Sequence, residues 1–262
     1  TDEQSAVPIK MALGYITGML IYFFIFFYSV QVMRGVMEEK SSRIVEVIIS
    51  SVRPYQLMMG KILGIGLVGV VQFIIWIGLS GILYTVISTF LFPELFAEQA
   101  AAGAAGNPAA DMVGLEVLDM LRSVDFTTVL FGFAFYFFGG YFLYSALFAA
   151  VGSAVDQEAD LQQFMLPVTI PMILAIVTAM NVIQEPNGAL AFWMSMIPLT
   201  SPITMMIRLP FGIPLWEVFL SGAILVVTFF AVVGLAGKIY RVGILMYGKK
   251  VTWKELFKWL KY

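Results

Sequence analysis

The chain contains no cysteine and no histidine. That removes disulfides, thiolate chemistry, the usual general base and the common zinc sites. Charge is scarce too: 12% of residues are Asp, Glu, Lys or Arg, against about 25% in a soluble domain. Residues 93–126 are almost without basic groups, with Arg122 alone against Glu94, Glu98, Asp111, Glu116, Asp119 and Asp125. Ionisable groups are nearly missing from the apolar runs, where Arg208 and Glu217 stand close to run ends. Such scarcity argues against a proton-coupled carrier or a charged-ligand channel. No carboxylate pair, Ser–Lys dyad or metal cluster presents itself, so no catalytic, cofactor or metal residue is assigned. Residue 1 is Thr, and no charged leader precedes the first apolar run. The sequence reads as part of a longer chain that lacks an upstream portion.

What is present is grease. The chain is 60% hydrophobic with a mean hydropathy of +0.91, which places it in a bilayer. The predicted fold is an all-α membrane protein. It is a polytopic bundle of about five transmembrane helices, with a re-entrant hairpin and cytoplasmic amphipathic helices. The spans fall at about 8–32, 61–92, 127–155, 165–183 and 214–237. Between them lie an amphipathic segment at 33–60, an Ala-, Gly- and acid-rich loop at 93–126 and an acidic turn at 156–163. Residues 127–183 hold the third and fourth spans, and 238–262 form a basic tail. Within the loop, Val113–Leu121 reads as a short helix. Pro167 and Pro171 should make the first turns of the fourth span irregular. Pro198 and Pro202 interrupt the apolar stretch Ala189–Leu209, so 184–213 reads as a re-entrant hairpin and not as a sixth crossing.

Charge asymmetry sets the orientation. Arg34, Lys40, Arg43, Arg53 and Lys61 lie in the first polar segment, and seven Lys or Arg lie in the tail. By the positive-inside rule both are cytoplasmic, whereas 93–126 and 184–213 are exterior. Five crossings then put Thr1 outside, which again asks for a span upstream.

The segment Arg34–Lys61 organises the rest. On one helical wheel, Glu39, Arg43, Glu46, Ser50 and Arg53 share a sector, opposite Met37, Ile44, Val45, Ile48 and Val52. Glu39–Arg43 and Arg43–Glu46 have pairing distances along a helix. Pro54 should end this helix and open the next. The residues by themselves fit a docking surface and a solvated, charge-paired loop equally well. Gly60 and Gly64 have the spacing of a helix-approach pair at the membrane edge. Gln72 and Asn181 are the main polar groups deeper in, and Gln72 reads as an interhelical hydrogen-bonding group. In the tail, Gly243-Ile-Leu-Met-Tyr-Gly248-Lys249-Lys250 approaches a phosphate-binding loop but carries Lys250 where a magnesium-binding hydroxyl is needed. It reads as a basic juxtamembrane stretch. Thr252 and Glu255 have capping-box spacing for an interfacial helix with Trp253, Leu256, Phe257 and Leu260 on its apolar face.

The run from Glu38 to Pro54 and then Tyr55 to Lys61 resembles the signature segment of ABC type-2 exporter permeases, and more closely the NatB-like sodium-efflux permease subunits. Glu39, Glu46, Pro54, Gly60 and Lys61 match that pattern; the IPLTSPITMMIR run and the GILMYGKK tail are similar as well. The resemblance covers nearly the whole chain, except that the family's first span and large exterior domain are absent from it. It implies a multi-pass permease subunit of a cell membrane, paired with a second permease subunit as a homo- or heterodimer. A separate ABC ATPase on the cytoplasmic side would hold ATP and magnesium, so this chain would bind no cofactor and would not be an enzyme. Glu38, Glu39, Arg43, Glu46 and Pro54 would belong to the ATPase-coupling segment, its helix being Glu38–Ser51, with Asp156, Glu158 and Asp160 a second contact. Pro198, Pro202 and Arg208 would belong to the exterior gate. The implied activity is efflux of sodium or a small hydrophobic molecule. Rival classes are an ATP-independent channel or secondary carrier, and a membrane assembly protein without transport. Nothing in the charge distribution points to nucleic acid.

Overall fold

A computed structural model describes residues 7–91, 125–247 and 253–259. The expected helix at Val113–Leu121 lies outside them, as do most of the acidic loop and Lys249, Lys250 and Thr252 of the tail.

Helix α1, Val7–Ser41, has 35 residues. At about 1.5 Å per residue it is about 52 Å long, well beyond a hydrocarbon core of about 30 Å. The apolar span and the charged run Arg34–Lys40 are therefore one rod, since no proline interrupts them. It ends where the hydroxyls of Ser41 and Ser42 donate back to the carbonyls of Glu38 and Glu39, at 3.1 and 3.2 Å. Arg43 then takes φ +58°, the left-handed region. For a residue with a Cβ that conformation costs about 1–2 kcal/mol.

The single amphipathic wheel expected here is consequently two pieces. Glu39 ends on α1, whereas Glu46 sits on α2, the six-residue helix Ile44–Ile49. The left-handed turn at Arg43 destroys the common sector, and no Glu39–Arg43 or Arg43–Glu46 ion pair occurs among the described residues. The proline expectation holds: Arg53 is extended and Pro54 opens α3, Pro54–Val86. That helix runs on through a wider turn, Ile87–Leu91.

Helix α4, Phe126–Ala154, is capped by Asp125, which accepts from the Thr128 N–H at 3.1 Å. After a break at 155–157, α5 (Glu158–Val177) and α6 (Ala179–Gln184) form one span. Glu158 and Asp160 thus open a helix instead of lying in a turn, where their charge complements its N-terminal dipole. Pro167 and Pro171 lie inside α5 without ending it, and the helix break comes later, at Thr178. Two eight-residue helices follow, α7 (Ala189–Met196) and α8 (Ser201–Arg208). Each is about 12 Å long, far too short to cross. A single turn Leu209–Phe211 and a left-handed Gly212 lead into α9, Leu215–Gly243. The tail helix α10, Trp253–Trp259, buries Leu256 and Trp259 and exposes Lys258.

Among the described residues, five helices are long and apolar enough to cross a membrane, and the all-α polytopic fold stands. Helix α4 is its axis, packed between α1 and α9. Three tyrosines on α4 donate to carbonyls of three neighbours. Tyr136 reaches Val218 at 3.1 Å, Tyr141 reaches Ile62 at 2.6 Å and Tyr144 reaches Leu199 at 2.5 Å. Each ties down a backbone carbonyl inside an apolar bundle, where an unmade bond is costly. Ser29 and Ser145 join α1 to α4 at 3.1 Å, and Tyr28 donates to Gln72 at 2.6 Å, the interhelical role expected of that glutamine.

Gly60 and Gly64 do not mediate close approach within the chain, because a Cβ at either would meet nothing within 4 Å. Close approach is made instead at Gly14, where a Cβ would lie 2.5 Å from the Ile207 carbonyl oxygen, and at Gly152, where it would strike that of Met33.

Candidate functional site

At the basic end, α1 brings an ammonium into the protein. Lys40 continues the buried stripe Val32, Val36 and is itself fully buried. It donates to the Ser153 carbonyl at 2.8 Å and pairs with Asp156 at 2.7 Å. One residue earlier, Glu39 pairs with Lys61 of α3 at 2.7 Å. Successive residues of α1 thus grip two different helix ends.

Tyr247 closes the cluster. The Lys40 ammonium lies 5.9 Å and the Arg43 guanidinium 5.7 Å from its ring centroid, contacts worth about 0.5–1 kcal/mol each near a surface. Burial, followed by the charge of Glu46, pushes the Tyr247 phenol above its ordinary range, with Arg43 opposing and Asp156 adding to it. The segment after α9 thus meets the side chain of Arg43, the residue at which the backbone turns left-handed.

On the far side of this cluster α2 is presented outward. Val45 is fully buried as its anchor, whereas Ile44 is 54% and Val47 74% exposed. Glu38, Ser42, Arg43 and Glu46 are exposed around that crest. A small apolar centre with a charged rim is the anatomy of a protein contact. Glu158 is exposed and Asp160 half-buried on the first turn of α5.

At the opposite end, the hairpin α7–α8 plugs the bundle. Pro198 lies in the turn between its arms. Pro202 reaches the depth of Ile25 and Gly140, about the middle of α1, and every residue of α8 is buried. Arg208 closes α8 with three bonds. Its Nε donates to the Pro186 carbonyl at 2.6 Å, one terminal nitrogen to the Ser195 hydroxyl at 2.6 Å and the other to Glu217 at 2.7 Å. Ser221 donates to the Ser195 carbonyl at 2.6 Å. The hairpin is thereby pinned to α9 from both of its arms.

Of the residues singled out in the sequence, Glu39, Arg43 and Asp156 meet in the cluster at the basic end. Glu38 and Glu46 stand exposed beside it, and Pro54 opens α3. Spacing along the sequence does not single out Lys40 or Tyr247, and it does not pair Lys61 with Glu39 or Arg208 with Glu217. Lys40 carried a legible signal: it falls on the i, i+4 stripe of buried α1 residues. Tyr247 carried none, since it is brought in by the fold.

A family model described as "ABC-2 family transporter protein" matches residues 4–238. The chain is 32% identical over 247 residues to uncharacterized protein YhaP of Bacillus subtilis, covering 94% of this chain and 54% of that protein. It is 27% identical over 260 residues to uncharacterized protein MJ1024 of Methanocaldococcus jannaschii, covering 98% and 55%. The chain therefore spans about half the length of the curated relatives it matches. No solved structure matches it. Five apolar helices, a half-crossing hairpin and a family match across nearly its whole length agree, and the chain belongs to the ABC-2 family of transporter proteins.

Proposed function

We propose that this chain is the membrane half of an ATP-driven exporter of a cell membrane, with no catalytic residue of its own, acting with a second permease subunit. A separate ABC ATPase, carrying ATP and magnesium, docks on the crest of α2. The observation that carries the reading is the mounting of α2. It is a short helix held between two spans by a left-handed Arg43 and by Pro54, anchored through Val45, with Ile44 and Val47 left outside. A push on α2 is delivered to α1 and α3 together, because both helix ends are clamped by the Glu39–Lys61 pair.

Docking then falls to Glu38 and Glu46 with the apolar crest, while Glu39 and Asp156 hold the permease itself together. Reversing Glu39 would break the clamp and confuse packing with docking. The grooves on the bundle favour an apolar or amphipathic cargo over sodium. The one between α1, α3 and α4 is about 250 Å³ and is walled by Phe24, Phe73, Phe133 and Phe137.

The test is purification of the full-length protein from its native membrane with co-purifying ATPase activity measured. A stoichiometric ATPase lost in V47D and E46K, with far-UV circular dichroism unchanged, is the expected result. Retention of the ATPase by both variants, or ATP-independent uptake of sodium or cargo by the purified protein alone, overturns the reading.

A further inference from the structure

A second groove, of about 330 Å³, lies between α1 and the first turns of α5. Its walls are graded by depth. Helix α1 runs toward the basic end and α5 runs away from it, so Arg34 and Gln31 on one wall face the same level as Glu158 and Gln162 on the other. Phe26, Phe27 and Val30 lie deeper on α1, and Met165 lies deeper on α5. From Glu158 to Met165 the wall turns from charged to apolar over about 10 Å of helix. That is the polarity profile of the boundary between headgroup and acyl chain.

The charges at its rim are available. Lys40, Asp156, Glu39 and Lys61 are consumed by one another, whereas Arg34 and Glu158 are exposed and enter no ion pair among the described residues. A guanidinium offers a planar donor fork to a phosphate. A carboxylate beside it accepts from an ammonium and repels added negative charge. Together they complement a ligand holding phosphate and ammonium side by side, at the membrane interface, with apolar chains hanging below.

We propose that this groove binds an aminophospholipid of the inner leaflet. Arg34 takes the phosphodiester and Glu158 the primary ammonium, while Phe26, Phe27 and Met165 receive the upper acyl chain. A trimethylated headgroup has no N–H to give Glu158, and a glycerol headgroup leaves that carboxylate unmatched beside a phosphate. The site does not depend on whether an ATPase drives the protein.

Native mass spectrometry of the full-length protein, delipidated in detergent, tests this with phosphatidylethanolamine, phosphatidylcholine and phosphatidylglycerol supplied in turn. The expected result is one retained phosphatidylethanolamine per chain, bound about tenfold more tightly than the other two, or about 1.4 kcal/mol. E158Q should reduce phosphatidylethanolamine to the level of phosphatidylcholine while leaving phosphatidylglycerol binding intact or stronger. R34Q should weaken all three. M165W, which fills the apolar floor, should expel lipid whatever its headgroup, and soluble glycerophosphoethanolamine should fail to compete. Equal retention of the three lipids by the parent protein overturns the proposal, as does unchanged selectivity in a folded E158Q. Full competition by the soluble headgroup refutes the lipid as occupant.

Discussion

Replacing Glu217 with Met isolates the ion pair that holds the α7–α8 hairpin. The Arg208 side chain is 1% exposed and that of Glu217 11%, so solvent screening is small. Removing one member of a buried pair leaves an uncompensated charge, at a cost of about 3–5 kcal/mol. Arg208 keeps its bonds to the Pro186 carbonyl and the Ser195 hydroxyl, which puts E217M at the low end, about 3 kcal/mol. R208M strands Glu217 and those two oxygens, for a similar loss. In R208M/E217M the apolar replacements leave no charge behind, and such swaps are often neutral or favourable. The double variant should therefore be no less stable than either single, giving a coupling energy of about 3 kcal/mol. Because heating membrane proteins is commonly irreversible, the measurement is equilibrium unfolding by steric trapping in bicelles. If the double variant loses the sum of the two single losses to within about 0.5 kcal/mol, the pair is not coupled and the account of the hairpin is wrong.

At the Lys40–Asp156 cluster the two partners should differ. D156N leaves the fully buried Lys40 ammonium without its carboxylate, whereas in K40M the Asp156 side chain, 28% exposed, stays open to water. D156N should thus be the more destabilising of the two in the same unfolding assay. Among glycines, G152A forces a Cβ into the Met33 carbonyl and should cost about 1–3 kcal/mol, while G64A, which meets nothing, should fall within about 0.5 kcal/mol of the parent. Since this sequence has no cysteine, single S50C and N187C variants report topology in a full-length protein freed of any cysteine outside it. An impermeant maleimide should label Asn187→Cys in intact cells and Ser50→Cys only after lysis; the reverse pattern inverts the orientation.

Hydropathy made the five crossings readable, because a bilayer demands long apolar helices and little else can satisfy it. The two prolines of the hairpin were readable for the same reason: the segment was apolar enough to enter and too broken to cross. Local spacing misled where the backbone left the helical region. A wheel drawn through Arg43 assumes a helix there, and nothing in the identity of an arginine announces φ +58°. Lone charges in the apolar runs were seen, but Arg208 and Glu217 were read separately because their partnership is made by the return of α9 against the hairpin. Small residues were likewise visible, yet which glycines face a neighbour depends on helix rotation, so Gly60 and Gly64 were noticed and Gly14 and Gly152 were not.

Those two overlooked glycines bear on how the proposed exporter would work. Gly14 sits under the Ile207 backbone of the α7–α8 hairpin, and Met33 lies against Gly152 near the C-terminal end of α4. The two contacts are nineteen residues apart on the same uninterrupted helix, about 28 Å along its axis. Backbone-to-backbone contact leaves no flexible side chain to absorb a displacement, so α1 cannot slide at one end without disturbing the other. At its C-terminal end Glu39 and Lys40 bind it to α3 and to the 153–156 corner; in its N-terminal half Thr17 approaches the Met206 carbonyl at 3.4 Å. A load applied at α2 would therefore reach the buried hairpin through a stiff rod gripped at both ends, and not through the loosely packed outer half of α3. G14A should accordingly impair transport and hairpin packing together, whereas G78A, where a Cβ meets nothing, should leave both intact.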